Sequence, residues 1–333
     1  MPRLPPTRTG LRDPIRTLFH WPGEPSGVDS FTHGLIAAII VYALDLPGLI
    51  PFAVAGAVVL DADTFFARVF DSRPSLYLFT HGGIAHSFAG AAVMALPAWI
   101  VAALVAPAVP FPAVAAPVGF AAVLAGAFLH LGLDWLACPG LPFLAPLSDT
   151  KYTAGLLPGP SILLMATSIV FLVWMALGGI GFPAMILPYA GIITAFLAVR
   201  LAALFLVRAD PVAAGRAVPT ISPLRWLVIG ETPEAWTMGE YRIGRGMAEP
   251  TTWMKYRNTS VEAVASYLET PEVRRVRYHS YITTAEPEGA VLVVSDPLRK
   301  SGAIFYPPHY TEVRVPMGDG VRPSPRAGNG PGP

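Results

Sequence analysis

Apolar residues run together along most of this chain instead of alternating. From about Ser30 to Ala43, and again from about Ile50 to Phe66, the sequence is almost continuously apolar, with a break at Asp45-Leu46-Pro47. Longer runs follow at about His81–Val105, Ala113–Leu136, Ser161–Leu177 and Pro183–Val207. A helix crosses a bilayer core with roughly 20 apolar residues. These runs therefore predict a polytopic bundle of about six helices, of which the first two are short and suit tilted or re-entrant segments. The Pro-rich joints at 107–117 and 139–160 fit helix boundaries.

Beyond residue 208 the pattern changes to short segments. Arg225–Glu231, Glu240–Gly246, Val276–Thr284, Ala290–Asp296 and Ala303–Tyr306 read as strands. Asn258–Thr270 reads as a helix capped by Asn258 or Ser260, with Val261, Val264, Ala265 and Leu268 on one face. The expected fold is mainly α: a membrane-embedded helical domain over 28–208, a linker over 209–224, and a small cytoplasmic α+β domain over 225–316. Residues 1–27 hold six Pro and four Arg without a long apolar run, so they read as a flexible tail, not a signal sequence. Residues 317–333 are Pro/Gly-rich and read as disordered.

Composition sharpens this. The chain is 53% hydrophobic and 14% charged, against about 25% charged in soluble domains. Residues 74–133 and 152–199 contain no Lys, Arg, Asp or Glu. Such runs exclude an ordinary soluble domain and a disordered chain. Cys138 is the only cysteine, which excludes an intrachain disulfide scaffold. A net charge of +1 gives no overall attraction to nucleic acid, and no nucleic-acid partner is expected.

Where the positive charges fall sets the orientation. Arg3, Arg8, Arg12 and Arg16 precede the first run; Arg68 and Arg73 follow the second; Lys151 follows the fourth; Arg208 and Arg216 follow the sixth. The alternate connections, near 45–48, 106–112 and 178–182, carry none. Six crossings with both termini in the cytoplasm satisfy this distribution, which predicts a multi-pass protein of the cell membrane in contact with lipid. Trp21 and Trp135 fit interfacial anchors.

Ionisable groups inside a membrane region are rare and usually mark a site. Asp29 and His33 open the first run, Asp61 and Asp63 close the second, His81 and His86 open the third, His130 and Asp134 close the fourth, and Asp149 follows. Under the charge-derived topology all lie on one side. The Asp29/His33 and His130/Asp134 pairs are four residues apart, so each pair shares a helix face. Four His and several Asp suit zinc or a similar divalent metal. Each residue also has a plainer reading: Asp29 as a helix N-cap, Asp61 and Asp63 as solvated interfacial groups, His81 as a cap, His130 as a core histidine bonded to a carbonyl. Asp45 and Asp71 read as loop residues, Cys138 as a packing residue, and Arg200 as the partner of a carboxylate or a phosphate head group.

In this order the motifs resemble a known family. Asp29-Ser30-Phe31-Thr32-His33-Gly34 is similar to its Asp-x-x-Thr-His-Gly motif, and Asp61-Ala62-Asp63 to its Asp-x-Asp motif. Thr80-His81-Gly82-Gly83-Ile84-Ala85-His86-Ser87 resembles His-Arg-Gly-x-Thr-His-Ser, while His130-Leu131-Gly132-Leu133-Asp134 and Pro146-Leu147-Ser148-Asp149 resemble its closing elements. The family is the YdjM-like group of membrane-bound proteins, described as predicted metal-dependent hydrolases and as LexA-binding, inner-membrane-associated hydrolases. The resemblance covers about residues 28–208. Some members carry a C-terminal domain opening with a segment similar to Pro223-Leu224-Arg225-Trp226.

The resemblance implies a membrane-embedded, metal-dependent hydrolase acting at the cytoplasmic face on a phosphoester or lipid-linked substrate. His33, His81, His86, His130 and Asp134 would be core ligands, Asp61 and Asp63 would complete one or two metal sites, and Asp63 or Asp149 would take the proton. Zinc is the expected metal. Gly82 and Ala85 stand where the family has Arg and Thr. If that Arg holds a substrate phosphate, this chain must use another cation, with Arg73, Lys151 and Arg200 as candidates. Two rival readings are a transporter or ion pathway, and a non-catalytic regulator with a structural metal and a partner-binding C-terminal domain. Arg274, Arg275 and Arg277, interleaved with Val273, Val276 and Tyr278, read as a solvated strand edge.

Overall fold

A computed structural model describes residues 29–108, 111–159, 161–300 and 311–318. The N-terminal tail, the strand expected at 303–306 and all but the first two residues of the C-terminal tail lie outside them. Helix α1 (Ser30–Ala43) is capped by Asp29, whose carboxylate accepts the Thr32 N–H at 3.0 Å. Helix α2 (Ile50–Val59) runs into a 3-10 turn over Leu60–Asp63 and then into α3 (Thr64–Asp71). The longer helices are α4 (Phe88–Val105), α5 (Ala116–Trp135), α6 (Ile162–Ala176) and α7 (Phe182–Ala209).

Among the described residues, Pro47–Phe66, Phe88–Ala108, Ala116–Trp135 and Phe182–Ala209 are long and apolar enough to cross a membrane; α1 and α6 are apolar but shorter. The helix expected from His81 begins at Phe88. Pro74 opens a 3-10 segment over Pro74–Phe79, Gly82 sits at φ +72°, and the Ser87 hydroxyl caps α4 by accepting the Gly90 N–H at 3.0 Å. His81 and His86 therefore lie on an irregular segment between helices.

Small residues bring α2 and α5 into backbone contact. A Cβ on Gly56 would fall 1.9 Å from the Val123 carbonyl oxygen, and one on Gly126 would fall 2.1 Å from that of Ala53. Ala53, Ala57, Ala122 and Ala127 are buried along the same seam. Such close approach is a standard means of helix association in lipid, where Leu-rich faces gain nothing over the lipid tails. A buried hydroxyl chain adds to it: Thr32 Oγ1 is 2.7 Å from Ser168 Oγ, which is 2.8 Å from the Tyr189 hydroxyl, joining α1, α6 and α7.

The C-terminal part holds two antiparallel sheets. The first orders β1 (Arg216–Pro219), β2 (Arg225–Glu231), β3 (Ala235–Arg242) and β4 (Gly246–Met247), with β5 (Thr251–Met254) also paired to β3. Then come α8 (Val261–Leu268), capped by Ser260, and α9 (Pro271–His279). The second sheet orders β6 (Thr284–Glu288), β7 (Val291–Ser295) and β8 (Glu312–Pro316), with short α10 (Pro297–Lys300) after β7.

Two sequence expectations are corrected here. Residues 276–279 are helical, not extended: Pro271 at the first turn starts α9, and Val273 and Val276, three apart, bury one face. Arg274, Arg275 and Arg277 therefore belong to a helix. Strand pairing also starts at Arg216, within the segment that reads as a linker, because Ala217 and Val218 pair with Val228 and Leu227.

The two parts share a core. Trp226 and Val228 of β2 and Tyr241 of β3 are buried in one cluster with Ala203, Leu204 and Val207 of α7. Arg200, 1% exposed, donates through its two terminal nitrogens to the carbonyls of Thr220, Ile221 and Ser222. It clamps the entry to β2 against α7.

Candidate metal centre

The α2–α5 seam positions the polar cluster. Asp61 follows α2 in the 3-10 turn, while His130 and Asp134 occupy one face of α5, one turn apart. His130 Nδ1 is 2.7 Å from the carbonyl of Ala57 on α2. That acceptor fixes the proton on Nδ1 and leaves Nε2 as a lone pair pointing inward. The plain reading of His130 as a carbonyl-bonded core histidine is thus what prepares it as a ligand.

Four donor atoms converge. His130 Nε2 stands 3.6 Å from Asp61 Oδ1 and 3.2 Å from Asp134 Oδ2; His86 Nε2 stands 3.6 and 3.7 Å from the same two oxygens. Metal–ligand bonds of about 2.0–2.1 Å in a tetrahedron place neighbouring ligand atoms about 3.3 Å apart. The observed N···O spacings match that edge. Neither Nε2 makes a hydrogen bond among the described residues, although both imidazoles are completely buried. Buried polar atoms normally find partners, so the donor set fits a divalent metal.

The cluster extends beyond these four atoms. His33 Nε2 is 3.1 Å from Asp134 Oδ1, and its ring stacks on His130 with centroids 3.8 Å apart. Three groups have donor atoms close enough together for one ion: His86, His130 and Asp134; His33, Asp61 and His130; and Asp61, His81 and His86. Asp61 also accepts a hydrogen bond from the Ser30 hydroxyl. The three groups overlap through Asp61, His86 and His130, an arrangement with room for one ion or two.

Asp63 sits behind two of the imidazoles. It hydrogen-bonds His81 Nδ1 and lies 3.1 Å from His86 Nδ1. A carboxylate on Nδ1 orients the ring and leaves Nε2 for other work. His81 Nε2 has no hydrogen-bond partner among the described residues, and the side chain is 8% exposed.

The structure brings His33, Asp61, Asp63, His81, His86, His130 and Asp134 together. It places the other candidates elsewhere. Asp149 is half-exposed and accepts from the Tyr77 hydroxyl at 2.6 Å, with Arg274 Nη2 3.6 Å away. Lys151 Nζ lies 3.8 Å over the Tyr278 ring; burial and nearby Arg299 push its pKa down to about 7. Arg73 is exposed before the 3-10 segment, Arg200 is the clamp at β2, and Cys138 is buried beside Thr153.

Sequence reasoning missed the α9 contact. Arg274 Nη2 donates to the Tyr77 hydroxyl at 2.9 Å, Tyr278 donates to the Gly82 carbonyl at 3.4 Å, and Thr80 Oγ1 is 3.3 Å from His279 Nε2. Helix α9 thus braces the segment that carries His81. Asn-free, Gly-rich Thr80–Ser87 gave no signal of that partner; the i,i+3 spacing of Val273 and Val276 after Pro271 was the available clue.

A family model described as YdjM inner membrane protein matches residues 28–209. No curated protein and no solved structure matches the chain.

Proposed function

The chain belongs to the YdjM inner membrane protein family, and from that premise we propose that it is a membrane-embedded, metal-dependent hydrolase of a phosphoester or lipid-linked substrate, with its site at the cytoplasmic face. The observation that carries the reading is the unpartnered pair His86 Nε2 and His130 Nε2 at tetrahedral-edge distance from Asp61 and Asp134. The positive connections on the site side, Arg73, Lys151 and Arg208, support the cytoplasmic orientation, and α1 and α6 complete a six-helix membrane domain.

His86, His130, Asp61 and Asp134 would hold the first metal, and His33 extends the set towards a second. A bound divalent ion supplies Lewis-acid polarisation of a phosphoryl or acyl oxygen and a more acidic water. The chain's own contribution is proton handling and positioning. His81, oriented through Nδ1 by Asp63, has Nε2 open and accepts the proton. Asp63 is then a positioning residue, which revises the expectation that Asp63 or Asp149 is the base. Asp149 acts at the α9 contact instead.

The protein purified in detergent is expected to carry a divalent metal, zinc first among candidates, and to hydrolyse a phosphoester in a lipid and lipid-phosphate screen. His81→Ala should retain the metal held by His86, His130 and Asp134 and lose turnover. A correctly folded His86→Ala/His130→Ala protein with full metal content would overturn the assignment.

A further inference from the structure

A groove of about 650 Å³ ends at the metal centre. Its floor is one face of α2 and the 3-10 turn that continues it, formed by Ala55, Val58, Val59 and Ala62. Pro97, Ala98 and Val101 of α4 make one wall, and Phe31 and Met165 the other. Its polar lining is Asp29, Ser30, Asp61, Thr64 and His81, from the start of α1, the turn between α2 and α3 and the segment before α4. Ala55 lies six residues from Asp61, so the apolar part reaches about 9 Å along the helix below that carboxylate.

Three observations bear on what fits there. Phe31, Phe65 and Val101 on the rim are exposed large apolar residues, so the groove is open along the lipid-facing side of the bundle. Its volume lies within the roughly 300–1,000 Å³ of small-molecule sites. The polar lining also presents His81, whose buried Nε2 has no hydrogen-bond partner among the described residues. A water-soluble phosphoester would leave the apolar floor uncovered; a lone hydrocarbon chain would leave the polar lining unused.

We propose that the groove takes one hydrocarbon chain of a membrane phospholipid, entering sideways from the bilayer, with its phosphoester at the Asp61 end, where a metal held by the site would offset the Asp29 and Asp61 carboxylates. The chain fills the space over Ala55, Val58 and Val59, and the depth of the groove places the phosphoester at the end of α2, where the headgroup layer begins. This rests on the metal-dependent hydrolase reading for the recognition and fate of the phosphoester, but not for occupancy of the groove by the hydrocarbon chain.

The test uses the full-length protein in phosphatidylcholine nanodiscs with a trace of phosphatidic acid bearing a photoactivatable group in one acyl chain. Labelled residues are mapped by mass spectrometry. Labelling should concentrate on 55–59 and 97–101, at least fivefold above lipid-facing Leu104 and Leu187. Val101→Trp, at an exposed rim position, should cut groove labelling about tenfold with metal content unchanged. A diacylglycerol probe lacking the phosphate should label the groove several-fold less. Even labelling of all lipid-facing residues, equal labelling by the two probes, or labelling indifferent to Val101→Trp would overturn the inference. Groove labelling without turnover of any phospholipid would sustain it and sink the hydrolase reading instead.

Discussion

Arg200 and the pair His86/His130 are equally buried, yet the helices around them treat their polar atoms differently. At the β2 junction, both terminal nitrogens of Arg200 are committed to the carbonyls of Thr220, Ile221 and Ser222. In the His/Asp cluster, His130 spends Nδ1 on the Ala57 carbonyl and both imidazoles hold Nε2 clear of any hydrogen bond among the described residues. Buried charge alone therefore does not mark a site. Commitment to backbone carbonyls marks a structural clamp, and withheld lone pairs that converge mark a ligand set.

The most severe way to break this comparison is to remove the lone pairs. His86→Ala/His130→Ala should abolish metal binding, read by elemental analysis of the purified protein, while Arg200→Met leaves the metal content intact. Next in size is the seam. Gly56→Val places side-chain carbon where only 1.9 Å separates the Cβ position from the Val123 oxygen, so α2 must move off α5. Overpacking typically costs about 1–3 kcal/mol, occasionally more. Reduced metal occupancy together with a lower melting temperature is the expected pairing; an unchanged occupancy would show that the seam does not set the ligand spacing.

Arg200→Met should cost about 1–3 kcal/mol by removing the charged donor's hydrogen bonds to three carbonyls, seen as earlier unfolding of the α+β domain in a proteolysis assay. Smaller still is Asp149→Asn, since the exposed Asp149–Arg274 pair should contribute within about 1 kcal/mol. The finest distinction uses pH. The Lys151 ammonium is held at about 7 in the folded protein, below its ordinary 10.5. Between those values the unfolded chain binds more protons, so stability rises with pH from about 7 to 10. Lys151→Met should flatten that rise in a series of melting curves.

Much of the bundle was legible because apolar runs in lipid have few alternatives to helix. The apolar and β-branched patterns give the boundaries of α1 and β2, and the clustered His and Asp stand out because charge is so scarce around them. The local path of residues 80–86 was harder: Gly82 takes a left-handed conformation, so a hydrophobic run that looked helical from His81 starts only at Phe88. The role of Asp63 depends on which imidazole nitrogens face it, and no spacing rule encodes that. Helix α9 is ambiguous in sequence because Val273 and Val276 are interleaved with Arg274, Arg275 and Arg277, a mixture shared by a strand edge and a short amphipathic helix. Arg200 was expected near phosphate or carboxylate; its partners are carbonyls, which every residue offers and no sequence can single out.

The contact of α2 with α5 through Gly56 and Gly126 turns the two helices into a fixed gauge. With backbone against backbone, the gap between Asp61 and His130 is set by bond lengths and the radius of a helix, quantities that neither temperature nor side-chain rotation alters much. Bilayers differ in thickness, and membrane helices adapt by tilting. A centre gripped by two helices that tilt as one should keep the spacing of its polar groups across membranes of different thickness, and α4, packed on the same pair through Ala95, Ala98 and Ala102, should tilt with them.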